Sequence, residues 1–164
     1  MAEVVGNDLE LDDTQKDKFL TFSLGSEVYG IEIRFVTEII GMQSVTEVPD
    51  LPGYVKGIIN LRGKIIPVID VRLRFKKMPR EYDSRTCIIV IEIKEVAVGL
   101  IVDTVAEVLS IPEQDLASPP KINSSYHQRF TQAIGKVGND IKLILDCDRL
   151  LSDDEMAKLK EESK

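Results

Sequence analysis

Few residues in this chain could make or break a covalent bond. His127 is the one histidine, in the run Ser124-Ser125-Tyr126-His127. Those serines are too close to it in sequence to form an obvious nucleophile–base pair, and no G-x-S-x-G elbow is present. Cys87 and Cys147 stand 60 residues apart. With a single histidine beside them they make no convincing zinc set, and each sits in an apolar, strand-like run that suits a small core residue. Asp70 and Asp146 are the sharper pair for acid–base work. Each also stands where a strand gives way to a short segment, Val71 to Phe75 and Cys147 to Leu151, which is where an aspartate caps backbone N–H groups. Gly57-x5-Gly63 matches neither a phosphate loop nor a dinucleotide fingerprint. The residues require no cofactor, and the expectation is a protein that is not an enzyme.

Those aspartates lead to the strongest fold signal, an internal duplication. Val28 to Ile40 (VYGIEIRFVTEII) is echoed 69 positions later by Ala97 to Leu109 (AVGLIVDTVAEVL), pairing Gly30 with Gly99, Val36 with Val105 and Glu38 with Glu107. Gly57 to Asp70 (GIINLRGKIIPVID) is echoed 76 positions later by Ala133 to Asp146 (AIGKVGNDIKLILD), pairing Val68 with Ile144 and Asp70 with Asp146. Self-similarity on this scale implies two like subdomains, and such pairs bind ligands or partners at their seam.

Charge is uneven along the 164 residues. Residues 1–15 hold five acids and no base, residues 152–164 hold five acids against three lysines, and these ends carry the whole formal charge of −7. A neutral body between acidic ends argues against nucleic acid or an anionic membrane as the main partner, since both need clustered Lys and Arg. The longest unbroken apolar run, Cys87 to Ile91, is five residues, against about 18 for a spanning helix. The N-terminus lacks the basic start and apolar stretch of a signal peptide. The expected place is the cytoplasm, without direct insertion into a membrane.

The patterning predicts hairpins. Lys18 to Leu24 and Val28 to Ile33 flank a Gly25-Ser26-Glu27 turn, and Val55 to Leu61 and Lys64 to Asp70 meet at Arg62-Gly63. Thr86 to Ile93 and Val96 to Val102 turn near Lys94-Glu95, and Phe130 to Val137 and Ile141 to Leu145 turn around Gly138-Asn139-Asp140. Pro67 suggests an edge strand or a bulge. Arg34 to Ile40 places apolar residues at i, i+1, i+4 and i+5, the spacing of a short amphipathic helix ended by Gly41. Its counterpart Asp103 to Ile111 reads instead as a strand or crossover. Ser152 to Glu155 is a capping box that opens a C-terminal helix, with Met156 and Leu159 inward. Short strands punctuated by glycine turns point to small barrels.

With catalysis unsupported, the apolar surface carries the functional reading. Val36, Ile39 and Ile40 flank Glu38, and Val105, Val108 and Leu109 flank Glu107. Small barrels have little interior volume, so some of these six are expected to line a groove between the lobes that suits an apolar helix. Arg62, at a hairpin tip, is the expected salt-bridge partner of Glu38.

One set of residues resembles a known family. Phe19-x-Thr21-Phe22-x-Leu24-Gly25, Tyr29-Gly30-Ile31, Val36-x-Glu38-Ile39, Lys56-Gly57-x-x-Asn60-Leu61-Arg62-Gly63, Pro67-Val68-Ile69-Asp70 and Val102-Asp103-x-Val105 resemble the CheW family of chemotaxis coupling proteins. The likeness covers about residues 16 to 160 and leaves residues 1–15 as an acidic, flexible tail outside it. It implies a mainly β fold, with two intertwined five-stranded SH3-like barrels, short helices and the C-terminal helix from about residue 152, together making one CheW-like domain over residues 16–164. It also implies a non-catalytic adaptor that bridges the regulatory domain of the histidine kinase CheA and the cytoplasmic tip of transmembrane chemoreceptors, within membrane-associated arrays. In that family the positions matching Val36, Glu38, Gly57 and Arg62 are associated with receptor coupling. A kinase-facing patch is placed at the ends of the first barrel near Ile40, Gly41 and Val45.

The same domain occurs joined to a receiver in CheV-like proteins and at the end of CheA, and the length leaves room for neither neighbour. Two readings from other classes are a β-barrel nucleic-acid binder and a small hydrolase using Asp70 or Asp146. The first is disfavoured by the neutral body and the lack of aromatics interleaved with Arg and Lys.

Overall fold

The computed structural model describes residues 16–119 and 129–150. Within them the chain forms eleven strands: β1 Lys18–Leu24, β2 Glu27–Glu32, β3 Val36–Gly41, β4 Val55–Leu61, β5 Lys64–Asp70, β6 Cys87–Ile93, β7 Val96–Val102, β8 Thr104–Ser110, the two-residue β9 Leu116–Ala117, β10 Thr131–Val137 and β11 Asp140–Leu145. One short helix, α1 Val71–Arg74, follows β5. The expected C-terminal helix and the acidic tail lie outside the described residues.

The strands form two sheets in the orders β8-β1-β2-β11-β10-β9 and β3-β6-β7-β5-β4, which make the two SH3-like barrels. The duplicated unit is hairpin, strand, hairpin, but a copy is not a barrel. Each barrel takes the first hairpin of one copy and the remaining strand and hairpin of the other, so the copies are intertwined. The joints are parallel and equivalent: Gly30 sits opposite Ile144 and Gly99 opposite Val68, the same residues that the two sequence offsets match. A Cβ on Gly30 would meet Ile144 Cδ1 at 2.9 Å, and one on Gly99 would meet Val68 Cγ1 at 2.8 Å. Both joints therefore use the close approach that only glycine permits.

Ile33–Phe35 is a single 3₁₀ turn, and the helix expected over Arg34 to Ile40 is instead the strand β3. Val36, Thr37, Ile39 and Ile40 are β-branched and favour a pleated surface. Pairing with Ile88–Ile91 of β6 satisfies their backbone. Val36, Glu38 and Ile40 are half-buried, while Thr37, Ile39 and Gly41 are exposed. Asp103 to Ile111, read as a strand or a crossover, contains the strand β8. Pro67 lies in an interior strand, not at an edge. Its partner Ile58 is three pairs beyond the Leu61↔Lys64 pair that closes the turn. Because pairs alternate outward from a two-residue turn, Ile58↔Pro67 is one after a hydrogen-bonded pair, and the proline nitrogen faces the β7 side. The β7 ladder begins only at Val68, so no bond is lost.

The main core is shared by both barrels. Phe22 stacks on Tyr29 at 5.7 Å, Tyr29 meets Phe75 at a tilt at 5.4 Å and Phe75 stacks on Phe130 at 5.3 Å, a row of rings running from β1 across to the segment after α1 and on to the start of β10. Arg74 is buried beside it, its guanidinium 4.4 Å from the Tyr54 ring and 4.6 Å from the Phe130 ring, with Nε donating to the Leu150 carbonyl at 2.6 Å. Smaller clusters fill each barrel: Ile59, Ile66, Val68, Ile88, Val90 and Ile101 in one, and Phe19, Ile111 and Ile144 in the other.

Candidate partner-binding site

Asp70 accepts from the Leu73 N–H at 3.3 Å and from the Tyr82 hydroxyl at 2.7 Å. Asp146 accepts from the Asp148 N–H at 3.0 Å. Both are helix-start caps. Cys147 is buried and its thiol is pushed up to about 12, by burial first and then by the charges of Glu32, Asp146 and Asp148, which suppresses the nucleophilic thiolate. His127, Ser124 and Ser125 lie outside the described residues. Among the described residues no group of three or more His, Cys, Asp or Glu is placed to hold a metal, and no helix is long and apolar enough to cross a membrane.

The seven interaction residues inferred from sequence all belong to the β3–β7 barrel or to the segment between β3 and β4. Arg62 and Glu38 form an ion pair, Arg62 Nη2 donating to Glu38 Oε2. Together with Leu61, Lys64, Ile66 and Val90 they line a cavity of about 310 Å³ walled by this one barrel. Gly57 is elsewhere on the barrel, against Thr46 and Val45. Ile40 and Val45 pack on the barrel's own cluster beside Met42 and Leu61, and Gly41 is exposed opposite Cys87. Val36 packs against the shared core, as does its counterpart Val105. Of the six apolar residues proposed for a groove, Ile40 and Leu109 also pack inward. Ile39 and Val108, at equivalent places on the edge strands β3 and β8, face solvent at 44% and 50% exposure.

Arg62 is held in an unusual backbone state. It has φ +53° and is followed by Gly63 at φ +86°, with Asn60 Oδ1 accepting from the Gly63 N–H at 2.8 Å. A non-glycine residue in the left-handed region carries strain. The second copy fills the equivalent turn position, 76 residues on, with Gly138 at φ +60°. The equivalent tip position thus holds a glycine in one barrel and a left-handed arginine in the other, and of the two turns only Arg62-Gly63 has positive φ at both positions. The counterpart of Glu38, Glu107, is tied through its backbone to Thr21 Oγ1, whose hydroxyl donates to the Glu107 carbonyl at 2.8 Å. The charged cleft is a property of one barrel, imposed on a duplicated frame.

Sequence reasoning missed a second polar centre. Asp103, between β7 and β8, accepts from the Gly25 N–H at 2.7 Å, from Arg72 Nε and Nη2 at 2.7 and 2.5 Å, and from Arg80 Nη1 at 2.9 Å. Its side chain is only 9% exposed. Burial by itself raises the carboxyl's pKa. The hydrogen bonds from Arg72, Gly25 and Arg80 and the charge of Arg72 outweigh it and hold the group at about 2. A folded pKa below the unfolded value of about 3.9 adds stability that is whole above about pH 4 and is lost as pH falls toward 2, worth about 2 kcal/mol. Urea unfolding at pH 5 and pH 2 should therefore show a larger fall for the native chain than for Asp103→Asn. Equal falls would show that the carboxylate's bonds contribute nothing to stability.

Two strand-exchanged SH3-like barrels with a one-sided charged cleft are the features of a protein-interaction module. The comparisons with known proteins are specific. Residues 18–155 match the family model for the CheW-like domain. The chain is 37% identical over 145 residues to chemotaxis protein CheW of Klebsiella aerogenes, covering 88% of this chain and 87% of that one. It is 32% identical over 146 residues to chemotaxis protein CheW of Treponema pallidum, covering 87% and 86%. The crystal structure of scaffolding protein TtCheW from Thermoanaerobacter tengcongensis superposes with TM-score 0.78 at 37% identity, covering 85% of this chain and 94% of that one. The chain belongs to the CheW-like family.

Proposed function

We propose that this chain is a non-catalytic scaffold of bacterial chemotaxis that couples transmembrane chemoreceptors to the histidine kinase CheA. Family membership supports the class, as do the relatives named as chemotaxis proteins and as a scaffolding protein. The observation that carries the site is the Glu38–Arg62 pair, with its arginine at a left-handed tip position that holds glycine in the other barrel. The same left-handed state recurs at Lys94 and Glu95, so the ion pair with Glu38, and not the backbone alone, marks the side chain. In this reading the cleft beside Glu38 and Arg62 meets the cytoplasmic tip of the receptor, with Val36 acting from the shared core and Gly57 from β4 through its contact with Thr46 and Val45. The patch around Ile40, Gly41 and Val45 meets the regulatory domain of the kinase. The scaffold works in the cytoplasm, at receptor arrays, without a cofactor. Its effect comes from holding two partners together, which raises their effective concentration without new chemistry.

Binding of both partners at once tests this. The immobilised chain should capture a receptor cytoplasmic fragment and the kinase regulatory domain together, and should hydrolyse ATP no faster than buffer. Mutually exclusive capture of the two would overturn the bridging role.

A further inference from the structure

We infer that the buried node around Asp103 is an orientation brace between the two barrels, with Arg72 as its positioning residue. The inference rests on the scaffold reading and names how that scaffold is kept in one geometry. The donors come from different bodies. Gly25 lies in the β1–β2 turn of one barrel, Arg72 lies in α1 at the end of β5 of the other, and Asp103 is the residue at which the chain passes from β7 to β8 between them. Arg80 adds the linker that joins the two copies. Arg72 also donates from Nη1 to the Met78 carbonyl at 3.0 Å, and the ion pair between Lys77 and Glu27 ties that linker to β2. The hydrophobic core crosses both barrels, but apolar packing is non-directional. A two-pronged guanidinium–carboxylate contact fixes angles as well as distances.

Among the described residues the brace exists on one side only. Shifting Asp103 back by 69 residues gives Arg34, and shifting Arg72 forward by 76 gives Asp148, so the charges at the equivalent place are reversed. There Arg34 bonds its near neighbour Glu32 at 2.6 Å and is 64% exposed, against 15% for Arg72. A bridge that must present a receptor face and a kinase face at a set angle has this node and the Arg74 bond to the Leu150 carbonyl to fix it.

Arg72→Lys tests the brace, because it keeps the charge and removes the two-pronged geometry. Backbone N–H residual dipolar couplings of the native protein should fit one alignment tensor for both barrels. In Arg72→Lys the two barrels should need different tensors. Affinity for the receptor fragment and for the kinase regulatory domain, each measured alone, should stay within about twofold, while receptor-coupled kinase activation falls about tenfold. One shared tensor with normal activation overturns the brace, and so does a loss of either single affinity that matches the loss of activation. If Arg72→Lys does not fold, Arg80→Ala removes only the half-exposed donor and should cause about a twofold loss with a measurable tensor change. Unchanged couplings and activation in that variant would equally overturn the inference. Failure of the native chain to activate the kinase at all would instead overturn the scaffold reading on which it rests.

Discussion

Gly57→Ala is expected to destabilise the fold by about 3 kcal/mol or more, an unusually large effect for adding one methyl group. A Cβ at this position would lie 2.0 Å from the Thr46 carbonyl oxygen and 2.7 Å from its carbon, both backbone atoms. Its φ of +148° is also one that L side chains rarely adopt. The overlap cannot be relieved by a rotamer change. Either β4 must shift, or the segment that carries Val45 and Thr46 must leave the sheet, breaking the paired Thr46–Ile58 hydrogen bonds of 2.9 and 2.8 Å. Gly53→Ala is the control, because nothing lies within 4 Å of its would-be Cβ, and it should change stability by no more than about 0.5 kcal/mol. Denaturant midpoints compare the two. A tolerated Gly57→Ala would show that the Thr46 segment is not held against β4.

The second large effect is on activity. Arg62→Glu should reduce receptor-coupled kinase activation at least tenfold while leaving stability within about 1 kcal/mol. Arg62 is 69% exposed and Glu38 26%, and exposed pairs contribute little to folding. A reversed charge would instead set two carboxylates against each other and against any partner that fits the cleft. Arg62→Gly separates charge from strain. It relieves the φ +53° backbone and should leave melting unchanged or slightly raised, yet still lose most of the activation. Glu38→Arg combined with Arg62→Glu should recover part of the function. Normal activation by Arg62→Gly would remove the side chain from the site, and collapsed melting would make it structural.

Much of this was legible in the chain. The hairpins at Arg62-Gly63 and Gly138-Asn139 lie where turn chemistry places them, and the Glu38–Arg62 pair follows from an acid and an arginine set in apolar surroundings. What escaped was decided by distant residues. Six residues of β3 fit a helical spacing as well as a strand, and only pairing with β6, about fifty residues on, settles it. The exchange of hairpins between copies is likewise invisible to local pattern, because β1 finds its outer neighbour in β8. The Asp103 node is the extreme case, with donors 78, 31 and 23 residues away. A buried acid at a strand junction between apolar runs is a recognisable clue, but its partners are fixed by the fold alone.

We propose that this chain activates a kinase only by joining it to a receptor. The most direct test is autophosphorylation of CheA in receptor-containing membranes, measured with and without the chain and with and without an attractant. Phosphorylation should rise many-fold when all three components are present, fall when attractant is added, and stay at the basal rate when either the receptor or this chain is left out. The same rate with and without the chain, or activation that needs no receptor, would contradict the account.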